Sequence, residues 1–513
     1  MTACRHLVFI LGDQLDEKSS ALADFDASQD IALMAEVREE STHVWSSKPR
    51  IAFFFAAMRH FAADLREKKY AVDYRRIGTH GFASLVDVLE AAVLRYQPQK
   101  VVMVEPGDWR VEQALRGVAV KSNINLVQRA DTHFLCSRLD FAEWAHGYKQ
   151  IRQEYFYRMM RKRYDILMDG NQPLQGRWNF DGENRGAFPK AGPSDVPPRF
   201  TVIPDAVTLE AIADVQQHFA EHPGTLDCFL WPVTRHDALR ALNSFVNERL
   251  AHFGKFQDAM WTRQPFLYHA HISAAMNLKI IHPIEVIHAA LGALNSGRAP
   301  IEAVEGFVRQ VLGWREFIRG LYWLDMPGMR AANHFKHDRK LPSWYWTADT
   351  QMNCMRQTIT GTLEHGYAHH IQRLMITGMF GLLAETEPKA LEDWYLAVYV
   401  DAVEWVELPN VAGMALFANN GRFTSKPYIA SGQYIKRMSN YCSGCRYQPD
   451  VKTGANACPV TTLYWNFLDK HEAALAGNPR TALMVKNISR LSTEARAAIR
   501  EQAALTLKNI DEV

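Results

Sequence analysis

The period of the hydrophobic pattern changes once along this 513-residue chain, and that change limits the folds open to it. Within residues 1–135, apolar runs at 6–11, 31–37, 72–77, 101–105 and 126–129 read as strands, with helical spacing at 51–69, 82–96 and 109–120 between them. Such a series predicts an α/β domain with a doubly wound parallel sheet. After Arg235 the spacing is helical almost throughout: Phe307, Val308, Val311, Leu312, Phe317, Ile318, Leu321 and Tyr322 recur every three or four residues. Met355, Ile359 and Leu363 open a second long helix that is expected to continue past Arg373. Between the two patterns, residues 179–224 are punctuated by Gly182, Gly186, Pro189, Pro193, Pro197, Pro198 and Pro204, as an interdomain linker would be. The expected division is an α/β domain at 1–135, a connecting region and linker at 136–225, and a large all-α domain at 226–513.

Composition narrows the class. A single core stops growing near ~250–300 residues, so this length requires more than one domain. Apolar residues at 48% and charged residues at 22% exclude a disordered chain. No apolar run reaches the ~18–20 residues of a bilayer span. The start, Met1-Thr2-Ala3-Cys4-Arg5-His6, leads into an apolar run too short for a signal peptide, so a cytoplasmic monomer with no membrane partner is expected. Lys and Arg number 58 against 56 Asp and Glu, so a nucleic-acid partner would need a local patch. The basic stretch 149–163 is one candidate, although a solvated helix face explains it as well.

Seven cysteines make an odd count that argues against a disulfide framework. Cys442 and Cys445 form a C-x-x-C pair, and Cys458-Pro459 returns after twelve residues. Thiolates at this spacing grip a metal centre, and Cys354 is the best fourth ligand; proline directly after the last cysteine tilts the choice from zinc towards a four-iron cluster. His369 and His370 precede Arg373 at helical spacing, which suits acid/base work or polar contacts better than joint ligation of one metal, although such a pair on a core helix is more often structural. Asp401, Glu404 and Glu407, three apart among aromatics, are expected on one helix face, with Arg373 as partner for one of them. Gly12-Asp13-Gln14 after the first strand and Glu36 at the end of the second lie where ligands of such sheets bind, but no G-x-G-x-x-G follows the first strand. Seven of the 13 tryptophans fall between residues 314 and 465, which suits a core and also permits an electron path.

The runs EGFVRQVLGWREFIRG (305–320), HHIQRLMITG (369–378), WVELPNVAGM (405–414), KPYIASG (426–432) and YCSGCRY…NACP (441–459) resemble the prokaryotic iron-sulfur photolyases. These are the bacterial (6-4) photolyases and cryptochrome-B-like proteins of the cryptochrome/photolyase superfamily. LGDQL, IAFFFAAMRHFA, EPGDWRV and RWNFDGENR extend the likeness over the whole chain. The resemblance implies an antenna chromophore, 6,7-dimethyl-8-ribityllumazine, near Asp13, Gln14 and Glu36, and a U-shaped FAD in the helical domain. Arg373 and Asp401 match the pair beside the flavin, Glu407 falls where many relatives place an asparagine, and Asn410, Ser273 and His269 join the FAD contacts. The phosphate cradle, Ser/Thr-rich in many photolyases, reads His269-Ala270-His271-Ile272-Ser273 here. A 4Fe-4S cluster on Cys354, Cys442, Cys445 and Cys458 is also implied.

The implied activity is light-driven reversal of (6-4) photoproducts in UV-damaged DNA, with the lesion flipped from the duplex. His370, with His369, would supply the proton, Tyr428 and Trp314 would touch the lesion, and Trp346, Trp394 and Tyr399 would carry electrons to the flavin. A blue-light signalling cryptochrome with the same cofactors is the alternative, and the His-His pair favours repair.

Overall fold

The computed structural model describes residues 4–513; Met1, Thr2 and Ala3 of the N-terminal reading lie outside them. The five expected strands form one parallel sheet: β1 (His6–Phe9), β2 (Ile31–Ala35), β3 (Val72–Arg75), β4 (Lys100–Val104) and β5 (Leu126–Arg129), ordered β3-β2-β1-β4-β5. Leu7 pairs with Ile31 on one side and Val101 on the other.

Because side chains alternate along a strand, Leu7, Phe9, Leu33 and Met103 face one way. They pack with Val88 and Leu89 of the Leu85–Tyr96 helix and Leu115 and Val118 of the Trp109–Lys121 helix. Val8, Ile10, Met34 and Val104 face the other way, onto the Lys48–Glu67 helix, and this core runs on without a break into the helical half. Ser47 caps that helix by accepting from Arg50 N, and Pro49 occupies its first turn. The strand order reverses between β1 and β4, which opens a crevice at their carboxyl ends. None of the described helices is long and apolar enough to cross a membrane.

Three expectations need correction. The 179–224 segment is more than a linker: the helix Ala206–His218, capped by Asp205, buries Thr208, Ala211 and Val215 and packs on Lys48–Glu67. Its Asp214 bonds both Arg59 and Arg76 at 2.6 Å, tying the segment to the α/β layer. The flanking prolines and glycines hide the 208/211/215 spacing. The basic stretch is no uniform solvated face either. In the Gln153–Tyr164 helix Phe156, Tyr157 and Met160 are buried, and so is Arg161, which donates to the carbonyls of Ile166 and Trp178.

The third correction shapes the interior. The helix Asn353–His365 stops at Gly366, in the left-handed conformation with φ 63°, and does not run on past Arg373. Gly366 N closes on Thr362 O at 2.7 Å and its carbonyl accepts from Val400 N at 2.9 Å. A Cβ at this position would stand 2.6 Å from Val400 Cγ1. The chain then turns through Tyr367 and Ala368 before helix resumes. Gly366→Ala should cost about 1–2 kcal/mol from backbone strain alone, and more from the Val400 overlap. A lowered thermal midpoint relative to Gly361→Ala, whose nearest atom would be 3.6 Å away, checks this.

Candidate functional site

A cavity of about 330 Å³ sits in the helical half. Three π-helical turns supply much of its wall: Arg309–Arg315, Gln372–Gly378 and Pro409–Ala415. Each inserts a residue into the helical ladder and re-aims its side chains, so Gln310, Trp314, Arg373, Asn410 and Met414 all reach the same space. A period-3.6 pattern carries no sign of such turns.

Arg373 organises the polar side. Its Nη2 lies 3.0 Å from Asp401 Oδ1, its Nη1 3.3 Å from Glu407 Oε1, and its Nε donates to Ala368 O at 2.7 Å. The guanidinium carbon stands 3.8 Å over the Tyr399 ring. Ser273 Oγ donates to Asp401 Oδ2 at 2.6 Å, and Asn277 Nδ2 donates to Asp401 O at 2.8 Å. Burial pushes Glu407 up to about 8, the nearby Asp401 adding to it and Arg373 only partly opposing it. Glu407 therefore keeps a proton at neutral pH and can donate from the cavity wall.

The three acids expected on one helix face divide between two sites. Asp401 lies in the turn before the helix Glu404–Leu408, outside the helix itself, and it joins Glu407 at this cavity. Glu404 turns instead towards Arg330 and Asp108.

His369 is 1% exposed and stacks on His269 with ring centroids 4.5 Å apart and planes 10° apart. Both ring nitrogens of His369 and His271, and Nε2 of His269, are buried without a hydrogen-bond partner. Burial holds all three imidazoles below their ordinary range, so neutral rings offer unsatisfied nitrogens to whatever fills the cavity. His370 opens onto the cavity; the surrounding protein mass and then Arg373 depress it to about 4. Trp314 lines the same space, whereas half-buried Tyr428 lies outside the lining, near Arg480, Asp181 and Arg185.

Of the expected electron carriers, Trp394 is buried with its ring 5.8 Å from Tyr399 and 5.3 Å from Tyr395, which itself lines the cavity. Trp394 Nε1 donates to Tyr345 O at 3.0 Å, one peptide from Trp346, whose ring packs 4.9 Å from Trp45. Tyr345, Tyr395 and Trp45 were not picked out from the sequence, where only the general aromatic density marks them.

Cys354 in the first turn of Asn353–His365, Cys442 and Cys445 around the Tyr441–Gly444 turn, and Cys458 just before the Pro459–Lys470 helix line one small cavity. Cys354 is pushed well above its usual range, by burial and then by the other three sulfurs. Four thiolates this close in an apolar pocket need a cation. No three His, Cys, Asp or Glu side chains among the described residues are spaced to hold a metal ion as they stand.

The strand-end crevice forms a further cavity of about 110 Å³ lined by Gly12, Asp13 and Glu36. Glu36 is largely committed, since it accepts from Arg59 Nε at 2.7 Å, Tyr74 OH at 2.5 Å and Ile77 N at 3.0 Å. Gln14 is absent from the lining; its amide donates to the carbonyls of Val104 and Glu105, which locks the β1 and β4 ends together. Asp108 and Glu404, also in this lining, were not picked out for it. They share a proton that burial places on Glu404, pushed up to about 8.

The model of the deoxyribodipyrimidine photo-lyase-related protein family matches residues 8–231. The chain is 46% identical over 507 residues to the (6-4) photolyase of Agrobacterium fabrum, across 98% of this chain and 99% of that protein. The chain belongs to the (6-4) photolyase family. An uncharacterised protein of Acanthamoeba polyphaga mimivirus is 27% identical over 144 residues, 27% of this chain and 71% of its own. The crystal structure of a bacterial class III photolyase from Agrobacterium tumefaciens covers 95% of this photolyase and 98% of its own chain, with TM-score 0.57 and 13% identity, a likeness of fold.

Glu407 gives this photolyase a measurable pH signature. A carboxyl raised from 4.5 to about 8 makes the folded state bind more protons than the unfolded state between those values, so its stabilising share falls as pH rises through that window. Glu407→Gln should flatten this part of the stability profile, read as thermal midpoint against pH from 4.5 to 8.

Proposed function

We propose that this chain is a light-dependent DNA repair enzyme that reverses pyrimidine (6-4) pyrimidone photoproducts. The observation that carries the reading is the single cavity onto which His370 and Trp314 open beside the Arg373–Asp401–Glu407 network. FAD is the cofactor that family membership implies, and the orphaned imidazole nitrogens of His269, His271 and His369 fit a ligand that brings its own hydrogen-bonding groups. When reduced and excited by light, FAD would supply the electron for repair.

The chain's own residues would do the rest. Arg373 and Asp401 would fix the cofactor's polar edge, with Ser273 holding Asp401 and Asn410 and protonated Glu407 beside them. His269 and His271 would take the place of a Ser/Thr cradle. Trp314 would meet the flipped lesion from the opposite wall, with Tyr428 further out. His370 would hold the proton that repair requires. His370 is solvent-accessible through the cavity, yet the surrounding protein and Arg373 favour its neutral ring, and the phosphodiester of a bound lesion would supply the negative charge that favours its imidazolium. Trp394, with Tyr399 and Trp346, would form the route by which electrons reach the cavity.

Cys354, Cys442, Cys445 and Cys458 would hold a 4Fe-4S cluster that joins segments far apart in the chain. The strand-end cavity, bounded by Asp13, Asp108 and Glu404, would hold 6,7-dimethyl-8-ribityllumazine as antenna. Residues 1–135 would thus serve light collection and 226–513 repair, joined by 136–225. Cysteines kept as cluster ligands and thiols, with no disulfide among the described residues, fit a reducing cytoplasmic setting.

Illuminating the protein with oligonucleotides carrying (6-4) photoproducts, against dark controls, separates repair from a purely signalling role. His370→Ala should keep flavin absorbance and DNA affinity while repair falls by about 10²- to 10⁴-fold. Full repair in that variant would remove histidine from proton transfer. Cys442→Ala should lose iron absorbance and lower the thermal midpoint; unchanged iron content would remove this cysteine from the ligand set.

A further inference from the structure

A groove of about 580 Å³ lies apart from the cavities described above. Four stretches of chain build it: Gln150 and Arg152 at the entry to the Gln153–Tyr164 helix, His334 with Phe335, residues from Phe417 to Pro427, and residues from Ala474 to Arg480. Its lining contains two arginines and no aspartate or glutamate. Burial and then the nearby Arg480 oppose the charge of Arg152, whose guanidinium donates to Ile151 O at 3.1 Å and to Gln150 Oε1 at 3.3 Å, with no carboxylate among its hydrogen-bond partners. Two guanidinium groups that face one groove repel each other, and the cost is recovered when an anion bridges them.

Their mounting is specific. Arg480 N donates to Asn478 Oδ1 at 3.0 Å, and Asn478 Nδ2 donates to Ser425 O at 2.8 Å, which fastens the Arg480 segment to the strand of chain leading into Tyr428. Phe335 and Phe417, ring centroids 6.2 Å apart, give the groove an apolar floor. The planar fork of arginine matches the oxygens of a phosphate better than any other cationic side chain.

Shared charged neighbours link the groove to the main cavity. Tyr428 follows Pro427 of the groove and feels Arg480, Asp181 and Arg185, while Asp258 of the cavity lining feels the same Arg185 and Asp181. A strand entering the cavity would therefore place neighbouring phosphates within reach of this groove.

We propose that Arg152 and Arg480 clamp a backbone phosphate of the DNA strand next to the lesion. Naming DNA as the source of the phosphate rests on the repair reading; the anion chemistry of the groove does not. The test is binding in the dark, by fluorescence anisotropy of labelled duplex over a salt series, with Arg152→Ala, Arg480→Ala, the double variant and Arg480→Lys. One lost phosphate contact should lower the slope of log K against log salt by about 0.9 in the double variant, equally on intact and (6-4)-bearing duplex. Arg480→Lys should keep most of the slope, since the charge remains.

An unchanged slope in a double variant that melts normally overturns the proposal. Inorganic phosphate and AMP form the second arm: if either binds the wild type and is lost in the double variant while the duplex slope stays, the groove serves a free anion and the DNA assignment falls. Because the readout needs no light, failure of repair itself is seen separately: a protein that binds duplex with the expected slope yet never repairs it refutes the repair reading alone.

Discussion

Arg373 carries a guanidinium into the middle of the helical half, and the cavity wall is arranged to keep that charge compensated. Asp401 at 3.0 Å supplies the opposite charge, the protonated Glu407 accepts from the guanidinium at 3.3 Å, and the Tyr399 ring covers one face. Asp401 is itself held by Ser273 and Asn277, so the acid is oriented before any ligand arrives. Removing one partner of such a buried pair typically costs about 3–5 kcal/mol, because the other charge is left stranded. The left-handed turn at Gly366 belongs to the same device. By ending one helix early it frees the Ala368 carbonyl to accept from Arg373 Nε and brings His369 and His370 onto the cavity wall.

That arrangement is rigid because the two halves share one core. The sheet face carrying Val8, Ile10 and Met34 is continuous with the helical interior, and the helix Ala206–His218 is pinned to it through Asp214, Arg59 and Arg76. The strand-end cavity is consequently walled by both halves, with Asp13 and Glu36 from one and Leu396, Val403 and Glu404 from the other. Placing a proton on Glu404 lets two carboxyls meet at this boundary without repulsion, and Arg330 takes up the remaining charge.

Much of the fold was legible in the chain. Strand periodicity is a local property, and all five strands appear within a few residues of their expected places because alternation and β-branched content survive folding unchanged. The C-x-x-C pair and Cys458 announce a shared site through spacing alone, and the triplet Arg373, Asp401 and Glu407 stood out as charges in apolar surroundings. Elements whose form depends on partners distant in sequence were not legible. Nothing local marks Gly366 as a stop rather than an interior glycine; its neighbours Val400 and Pro49 decide that. Glu404 parts from Asp401 and Glu407 because Asp108 and Arg330 wait on another wall, and Gln14 proves to be a lock between strand ends.

The amino-acid order by itself therefore determined the kind of layers, the sheet's parallel winding and the residue types available for chemistry, since these follow from short-range periodicity and from side-chain charge. Only the tertiary structure decided which of those residues share a cavity. The π-helical turns, the stacking of His269 on His369, and the convergence of Cys354 on three cysteines from the far end of the chain all arise from long-range packing. A free-energy balance among distant groups has no local signature, so it becomes visible only when the chain has closed on itself.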